Sequence, residues 1–140
     1  MNKVYVFGPI YLFGESYIPV YKSLVSLCQK YFKIVIGTYP DFWDSKETPQ
    51  AFYKRTVETI RDCDLFVAEV SSPSHGVGME LQMAVEYNIP VIALVKQGID
   101  FQKSTMVLGM PGLRKVLRYI DQASLLIELE KEIATFAKKG

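Results

Sequence analysis

Apolar residues along this chain follow two alternating patterns. Short, nearly continuous apolar runs end at Gly, Pro or polar residues, and runs of this length predict buried strands. Between these runs, apolar residues recur every three or four positions, which predicts amphipathic helices. The first pattern predicts five strands, at residues 4–7, 33–37, 65–70, 91–95 and 116–120.

Polar caps and prolines mark where the predicted helices begin. Pro19 stands where a first helical turn would start, and Thr48 is a cap followed by proline at the first helical position. Asp121 caps a last helix. The predicted helices therefore run from about residue 19 to 32, from 49 to about 63, from 77 to 87, over a short stretch at 103–108, and from 122 to the end.

The alternation of strands and helices predicts an α/β fold. Strands that are apolar throughout indicate a parallel sheet covered on both faces, and right-handed crossovers make it doubly wound. We expect one domain over residues 1–140, with a flavodoxin- or Rossmann-like five-stranded sheet in the order 2-1-3-4-5. Ligands bind such sheets at the carboxyl ends of the strands where the order reverses. The loops at that crevice are Gly8–Gly14 and Ser71–Gly78.

Composition excludes several classes of function. The formal net charge of +1 favours neither a nucleic acid polymer nor an anionic membrane. No apolar stretch approaches the ~20 residues of a membrane span, and the apolar start is too short for a signal peptide. Two cysteines, Cys28 and Cys63, are expected to be buried free thiols in a reducing, cytoplasmic setting. The single histidine, His75, excludes a multi-histidine metal site.

The segment after the third strand carries the candidate chemistry. Gly76 and Gly78 would let the backbone turn sharply and approach a ligand closely, and the following helix points free N–H groups at the crevice. Ser74 would cap that helix or donate to a phosphate. A plain strand-to-helix turn explains the same residues, because Gly and Ser also favour turns.

Glu80 lies on this helix, near the positive end of its dipole. Its neighbours on the same face, Met83, Ala84 and Tyr87, are apolar, so its carboxylate is expected to be partly buried at the crevice. Such a carboxylate can attack an anomeric carbon, as in retaining glycosidases. Alternatively, Glu80 only stabilises the helix dipole, an effect of ~0.3–1 kcal/mol.

Residues 64–81, which read DLFVAEVSSPSHGVGMEL, resemble the signature of the nucleoside 2-deoxyribosyltransferase family. The closest similarity is to its 2'-deoxynucleoside 5'-monophosphate N-hydrolase branch, and it extends more weakly over most of the chain. The resemblance implies that Glu80 is the nucleophile that takes the deoxyribosyl group and that Tyr5 is an active-site tyrosine. It assigns Ser74 and Gly76 to the phosphate side of the substrate.

The resemblance also implies a homodimer that shares its sites. Ser104 and Met106 align with a serine and a methionine that the hydrolase branch supplies from the neighbouring subunit, although Ser104 alone would be interpreted as a helix cap. Neither metal nor cofactor is expected. The remaining substrate-binding residues predicted at the crevice are Gly8, Pro9, Ile10 and Gly78.

Two departures from the family pattern affect the chemistry. Thr56 stands where the family carries an aspartate that contacts the base or donates a proton, and a threonine cannot be a general acid. Asp41 or Asp44 could take that role, or activity could be reduced or lost. In the first loop, Pro9 and Tyr11 stand where the hydrolases tend to have serine and arginine.

These first-loop replacements remove a backbone donor and a charged phosphate ligand. Lys96 or Lys103 could supply the missing charge. The aromatic residues Tyr39, Phe42 and Trp43 could stack on a nucleobase or pack onto the core.

The sequence therefore predicts an enzyme that acts on a small-molecule deoxynucleotide or deoxynucleoside. The first hypothesis is an N-glycosidase of 2'-deoxynucleoside 5'-monophosphates, and the second is a deoxyribosyltransferase in which a second base resolves the same intermediate. A non-catalytic nucleotide-binding homologue is favoured by Thr56 and Pro9. A receiver-like signalling domain would need acidic residues after the first strand, and Phe7-Gly8-Pro9 supplies none.

Overall fold

A five-stranded parallel sheet forms the centre of the protein. The computed structural model describes residues 2–37, 44, 46–102 and 104–139. The strands lie in the order β4-β1-β5-β6-β7, which is 2-1-3-4-5 when the strands of this sheet are counted alone. The predicted α/β fold class is thereby confirmed. The strands are β1 (Lys3–Phe7), β4 (Ile34–Gly37), β5 (Leu65–Glu69), β6 (Val91–Lys96) and β7 (Leu113–Tyr119).

Helices connect the strands and begin close to the predicted caps. The Thr48 Oγ1 accepts a hydrogen bond from the Ala51 N–H at 3.1 Å, and the Asp121 Oδ1 accepts one from the Ser124 N–H at 2.8 Å. Both bonds satisfy N–H groups that a helix start leaves without intrahelical partners. The helices are α1 (Ile18–Cys28), α2 (Pro49–Ile60), α3 (His75–Glu86), α4 (Thr105–Gly109) and α5 (Gln122–Lys139).

The sheet separates two apolar layers. In β5, Leu65 and Val67 belong to the layer that packs against α1 and α5, whereas Phe66 and Ala68 belong to the layer packed against α2 and α3. Successive side chains of a strand point to opposite faces, so a strand buried on both faces is apolar at every position. Glu69, at the end of β5, is the exception: its side chain is charged yet only 1% exposed.

A hairpin that the sequence analysis placed within a plain loop follows β1. Its strands, β2 (Tyr11–Leu12) and β3 (Glu15–Ser16), pair antiparallel around Phe13 and Gly14, both with positive φ. Two successive positive φ angles are the geometry of a tight hairpin turn. A phenylalanine is an unusual residue there, which is why the turn carries little sequence signal.

The last strand differs from its prediction. β7 begins at Leu113 rather than at Val116, and Ile120 lies beyond its end and is 66% exposed. The earlier start follows from the sheet, because the Val91 N–H at the start of β6 donates to the Gly112 carbonyl at 2.9 Å. Tyr39, Asp41, Phe42, Trp43 and Lys103, to which the sequence analysis gave candidate roles, lie outside the described residues.

Candidate active site

Glu80 points into the interior at the carboxyl-end side of the sheet. It lies in the second turn of α3, which begins at His75. Its Oε2 atom is buried and, among the described residues, has no hydrogen-bond partner. The carboxylate does form a hydrogen bond with the Tyr5 hydroxyl. The structure therefore brings together the two residues predicted to be catalytic.

Tyr5 is held rigidly by the sheet. It lies in the middle of β1, between Ile36 of β4 and Phe66 of β5. Its ring stacks on Phe7, with 4.6 Å between ring centroids and 14° between planes, and is 1% exposed. A side chain packed in this way has little rotameric freedom, so its hydroxyl is fixed against Glu80.

Burial dominates the electrostatics of Glu80. It raises the pKa of the carboxyl to about 7, against the opposing effect of the Tyr5 hydrogen bond. Dipole stabilisation of ~0.3–1 kcal/mol cannot account for a carboxylate buried at such a cost. Buried acids with a strongly raised pKa are typical of functional sites.

The two glycines of the motif lie inside α3 and not in the preceding loop. Neither Gly76 nor Gly78 has a positive φ, so the predicted sharp turn is wrong. A Cβ on Gly78 would meet nothing within 4 Å, and one on Gly76 would come no closer than 3.8 Å, to the Glu80 Oε1. Protein packing therefore does not require either glycine. The space at Gly78 is open, and the space at Gly76 is bounded by the Glu80 carboxylate.

A cavity of about 500 Å³ lies at the amino end of α3. The Ser74 Oγ accepts from the Val77 N–H at 3.4 Å, so Ser74 caps the helix as predicted. Ser104 occupies the N-cap position of α4, but its side chain makes no capping hydrogen bond. Four of the predicted substrate-binding residues line this cavity: Ser74, Gly78, Ser104 and Met106. Three further residues with hydroxyl side chains also line it: Ser71, Ser72 and Thr105.

The first crevice loop is fastened to α1. The Pro9 carbonyl accepts from the Tyr21 hydroxyl at 2.5 Å, and the Ile10 carbonyl accepts from the Tyr17 N–H at 2.7 Å. Gly8 is buried, and a Cβ there would lie 2.7 Å from the Glu69 Cβ. Packing thus requires this glycine. Gly8, Pro9 and Ile10 are not among the described residues that line the cavity near Ser74.

The structure supplies no proton donor at the position of the family aspartate. Thr56 is buried, and its hydroxyl donates to the Phe52 carbonyl at 2.8 Å. Asp44 is exposed. A carboxylate that the sequence analysis did not single out, Glu47, pairs with Arg55 at 2.9 Å. Because Arg55 lowers the pKa of Glu47, this carboxyl stays ionised and is a poor acid at neutral pH.

A cation does lie near the first loop. Tyr11, which stands at the arginine position of the hydrolases, is 73% exposed. The Lys96 ammonium lies 4.7 Å from the centroid of the Phe13 ring in the hairpin. Lys96 is therefore placed beside the crevice, as one of the two lysines expected to replace the missing charge.

Sequence reasoning missed the buried carboxylate of Glu69. Its Oε1 accepts from the Ser71 N–H at 2.5 Å, and the Tyr119 hydroxyl donates to its Oε2. The available signal was a charged residue at the end of a strand otherwise apolar throughout. Among the residues that the structure describes, no three His, Cys, Asp or Glu side chains converge as metal ligands would.

Comparisons with known proteins identify relatives of this chain. The chain is 42% identical over 84 residues to a Syntrophotalea carbinolica protein that carries the provisional name 2'-deoxynucleoside 5'-phosphate N-hydrolase 1, covering 60% of this chain and 58% of that protein. It is 29% identical over 101 residues to the 5-hydroxymethyl-dUMP N-hydrolase of Danio rerio, covering 69% and 71%. A Methanosarcina mazei protein with the same provisional name is 40% identical, but only 50% of it is covered. The matches thus span about half of the length of these two microbial relatives.

A solved structure and a family profile extend the comparison to nearly the whole chain. The CMP N-glycosidase of Clostridium botulinum superposes with a TM-score of 0.71 at 17% identity, over 94% of this chain and 99% of that one, which supports the fold. The profile of the nucleoside 2-deoxyribosyltransferases matches residues 4–128. The resemblance of residues 64–81 is thereby confirmed, and the chain belongs to the nucleoside 2-deoxyribosyltransferase family.

Proposed function

We propose that this protein is an N-glycosidase that cleaves the bond between base and deoxyribose in 2'-deoxynucleoside 5'-monophosphates, with Glu80 as nucleophile. One observation carries the proposal: the Glu80 Oε2 is buried and without a hydrogen-bond partner among the described residues, while the carboxylate is oriented by Tyr5. A buried, unpartnered carboxylate oxygen is costly to the fold. In the proposed reaction this oxygen is the atom that attacks an electrophilic carbon of the substrate.

The proposed reaction has two steps. In the first, the ionised Glu80 oxygen forms a bond to C1' as the bond from C1' to the base nitrogen breaks, and the bonding electrons leave with the base, which takes up a proton. In the second, water attacks C1', the ester bond to Glu80 breaks, and the water's surplus proton passes to solvent. The products are the free base and 2-deoxyribose 5-phosphate.

Tyr5 orients the nucleophile in this scheme. Its hydroxyl donates to the carboxylate and so favours the ionised form that attacks. The same donor stabilises the carboxylate again when the ester is hydrolysed. Because the Tyr5 ring is locked between Phe7 and Phe66, the bond restores the same carboxylate geometry in each turnover.

The cavity at the amino end of α3 supports the proposed substrate class, although Glu80 and Tyr5 are not among the described residues that line it. Hydroxyl groups and the amino end of α3 suit an anion such as a phosphate. The printed names of the Syntrophotalea carbinolica and Danio rerio relatives also specify nucleoside 5'-phosphate substrates. Ser74, Gly76 and Gly78 are the groups proposed to face the 5'-phosphate, with Gly8, Pro9 and Ile10 on the other side of the crevice.

We further propose a homodimer in which Ser104 and Met106 complete the neighbour's site. Met106 of α4 is 85% exposed and lies beside Gly78 of α3, while Met79 of α3 is 51% exposed and Leu108 of α4 is 39% exposed. Exposed apolar groups of this size on neighbouring helices support a partner surface.

A cytoplasmic location is proposed on the evidence of the cysteines. Cys28 and Cys63 are buried free thiols, which suit a reducing compartment. Burial raises the pKa of both thiols to about 12, so neither is a ready nucleophile. Among the helices of the described residues, none is long and apolar enough to cross a membrane.

Base release tests the proposal. The protein is incubated with each of the four 2'-deoxynucleoside 5'-monophosphates and the matching deoxynucleosides, with and without a second free base, and products are separated by chromatography. We expect release from the monophosphates that disappears in Glu80→Ala and persists in Glu86→Gln, an exposed glutamate on the same helix. Base exchange in place of release would identify the transferase alternative. No release from any substrate would leave a non-catalytic nucleotide-binding protein.

A further inference from the structure

Glu69 is a second buried carboxylate, which the proposed reaction does not use. Its side chain is 1% exposed at the end of β5. Oε1 accepts from the Ser71 N–H at 2.5 Å, and Oε2 accepts from the Tyr119 hydroxyl. The Tyr119 hydroxyl in turn lies 2.8 Å from that of Tyr17. These residues, here called the Glu69 network, form a continuous polar chain inside an apolar layer.

The Glu69 network lies on the opposite side of the sheet from the proposed nucleophile. Glu69 shares its face of β5 with Leu65 and Val67, which pack against α1 and α5. Tyr5, the hydrogen-bond partner of Glu80, belongs to the other layer. Glu69 is therefore not placed to touch the reacting atoms, and its role must be exerted through the residues that it holds.

One of those is the loop after β5. Glu69 holds the Ser71 backbone, and the Ser71 hydroxyl accepts from the Lys96 N–H at 2.8 Å, so this loop is tied to the end of β6. Ser71, Ser72 and Ser74 line the cavity at the amino end of α3. A shift of the Ser71 backbone would therefore move the wall of that cavity.

The other is the first crevice loop. The Glu69 Cβ occupies the space that a side chain on Gly8 would need. Tyr17, which contacts Tyr119 through its hydroxyl, donates its N–H to the Ile10 carbonyl at 2.7 Å. The Glu69 network thus contacts both loops that flank the crevice.

The chemistry of the Glu69 network suits a clamp, meaning a group that holds the two crevice loops in fixed positions. The Ser71 N–H and the Tyr119 hydroxyl both donate, and a carboxylate can accept from both at once. Burial raises the pKa of Glu69, while these two hydrogen bonds and the nearby Lys96 oppose that shift. An apolar side chain would be cheaper to bury, so stability alone does not explain a glutamate here.

We propose that Glu69, with Tyr119, is a positioning residue that sets both crevice loops for the phosphate-bearing end of the substrate. This rests on the proposed function. Because the Glu69 network lies on the opposite face of the sheet from Tyr5 and Glu80, its loss weakens substrate recognition and leaves the chemical step nearly intact. The signature is a raised KM with little change in kcat.

The test compares Glu69→Gln and Tyr119→Phe with Glu128→Gln, an exposed control on α5. We expect KM for the preferred monophosphate to rise about tenfold or more in each network variant, since a hydrogen bond to a charged group contributes that much or more. We expect kcat to stay within about twofold and the double variant to be less than additive, because the two residues act as a unit. The control should match the wild type.

Unchanged KM in folded variants, or a fall in kcat at constant KM, would overturn the inference. If Glu69→Gln does not fold, as judged by circular dichroism, Tyr119→Phe alone decides, because it keeps the ring and removes one hydroxyl. Calorimetric titration of the four monophosphates into Glu80→Gln, with and without Tyr119→Phe, separates the two proposals. Weaker binding upon Tyr119→Phe supports the clamp even if the wild type releases no base, and equal binding rejects it.

Discussion

The hydroxyl of Tyr5, on the central strand β1, forms a hydrogen bond with the carboxylate of Glu80 on helix α3. This bond crosses from the sheet to the helix layer and opposes the effect of burial on the acid. Burial prevails and leaves the pKa of Glu80 at about 7. The proposed nucleophile is therefore poised between its protonated and reactive forms near neutral pH.

The rate should depend on the ionisation of Glu80. Because only the carboxylate attacks, kcat/KM is expected to rise about tenfold for each pH unit below pH ~7 and to level off above that pH. Removing the Tyr5 hydroxyl removes the hydrogen bond that lowers this pKa. In Tyr5→Phe the rising limb should move to higher pH. Rates measured from pH 5 to 9 check both statements, and a profile that falls through this range would contradict them.

Stability should show the opposite dependence on pH. The folded-state pKa of Glu80, about 7, exceeds the ordinary value of 4.5, so the folded protein holds this proton more tightly than the unfolded chain. The protonated Glu80 side chain therefore contributes fully to the free energy of unfolding below pH ~4.5. As pH rises from there towards 7, that free energy falls by on the order of 3 kcal/mol. Gln carries no charge at any pH. The stability of Glu80→Gln relative to wild type should therefore grow from pH 4 to pH 8.

Urea denaturation at the two pH values measures this difference. Glu86→Gln is the matched control, because Glu86 lies on the same helix with an exposed side chain. A gain for Glu80→Gln that is equal at pH 4 and pH 8, or that matches the control, would show that the Glu80 charge is not buried at a cost to the fold.

The threonine at position 56 should affect how the rate depends on the leaving base. Its hydroxyl is bonded to the Phe52 carbonyl, so it does not protonate the base as the family aspartate could. We expect rates to depend steeply on the acidity of the departing base, measured over a series of substituted uracil deoxynucleotides. Thr56→Asp should flatten that dependence, although a buried carboxyl will lower stability. Thr59→Asp is the control, since Thr59 makes the same type of bond on the same helix, to the Arg55 carbonyl.

The sharing of sites in a dimer can be tested by complementation. Glu80→Ala and Ser104→Asp are each expected to be inactive, the second because its charge repels a phosphate. If Ser104 completes the neighbour's site, a mixed dimer contains one intact site and one doubly altered site. Co-expression of equal amounts should then restore up to about a quarter of the wild-type activity. If Ser104 serves the site of its own chain, co-expression restores none.

The sheet could be predicted because strands buried on both faces leave a strong apolar signal. Residues 65–70 and 91–95 are such runs, and both form central strands. Glu80 could be identified because its motif is long. Only the resemblance placed Tyr5 in the active site, and its orientation towards Glu80 was not predicted, since sequence alone does not show which strand residue faces which helix residue.

Other features depend on contacts between residues distant in the chain. Glu69 and Tyr119 meet only when β5 and β7 flank β6, so no local pattern reveals their bond. The glycines at 76 and 78 suggested a turn, whereas the Ser74 cap starts the helix before them. In this case capping prevailed over the low helix propensity of glycine.

Trapping the covalent intermediate tests the central claim most directly. The protein is quenched in acid within milliseconds to seconds of mixing with its preferred 2'-deoxynucleoside 5'-monophosphate, digested, and analysed by mass spectrometry. The account predicts a deoxyribosyl 5-phosphate adduct on the peptide that contains Glu80, appearing before base release reaches its steady rate and absent from Glu80→Gln. Base release without any adduct on that peptide, or an adduct that persists in Glu80→Gln, would contradict Glu80 as the nucleophile.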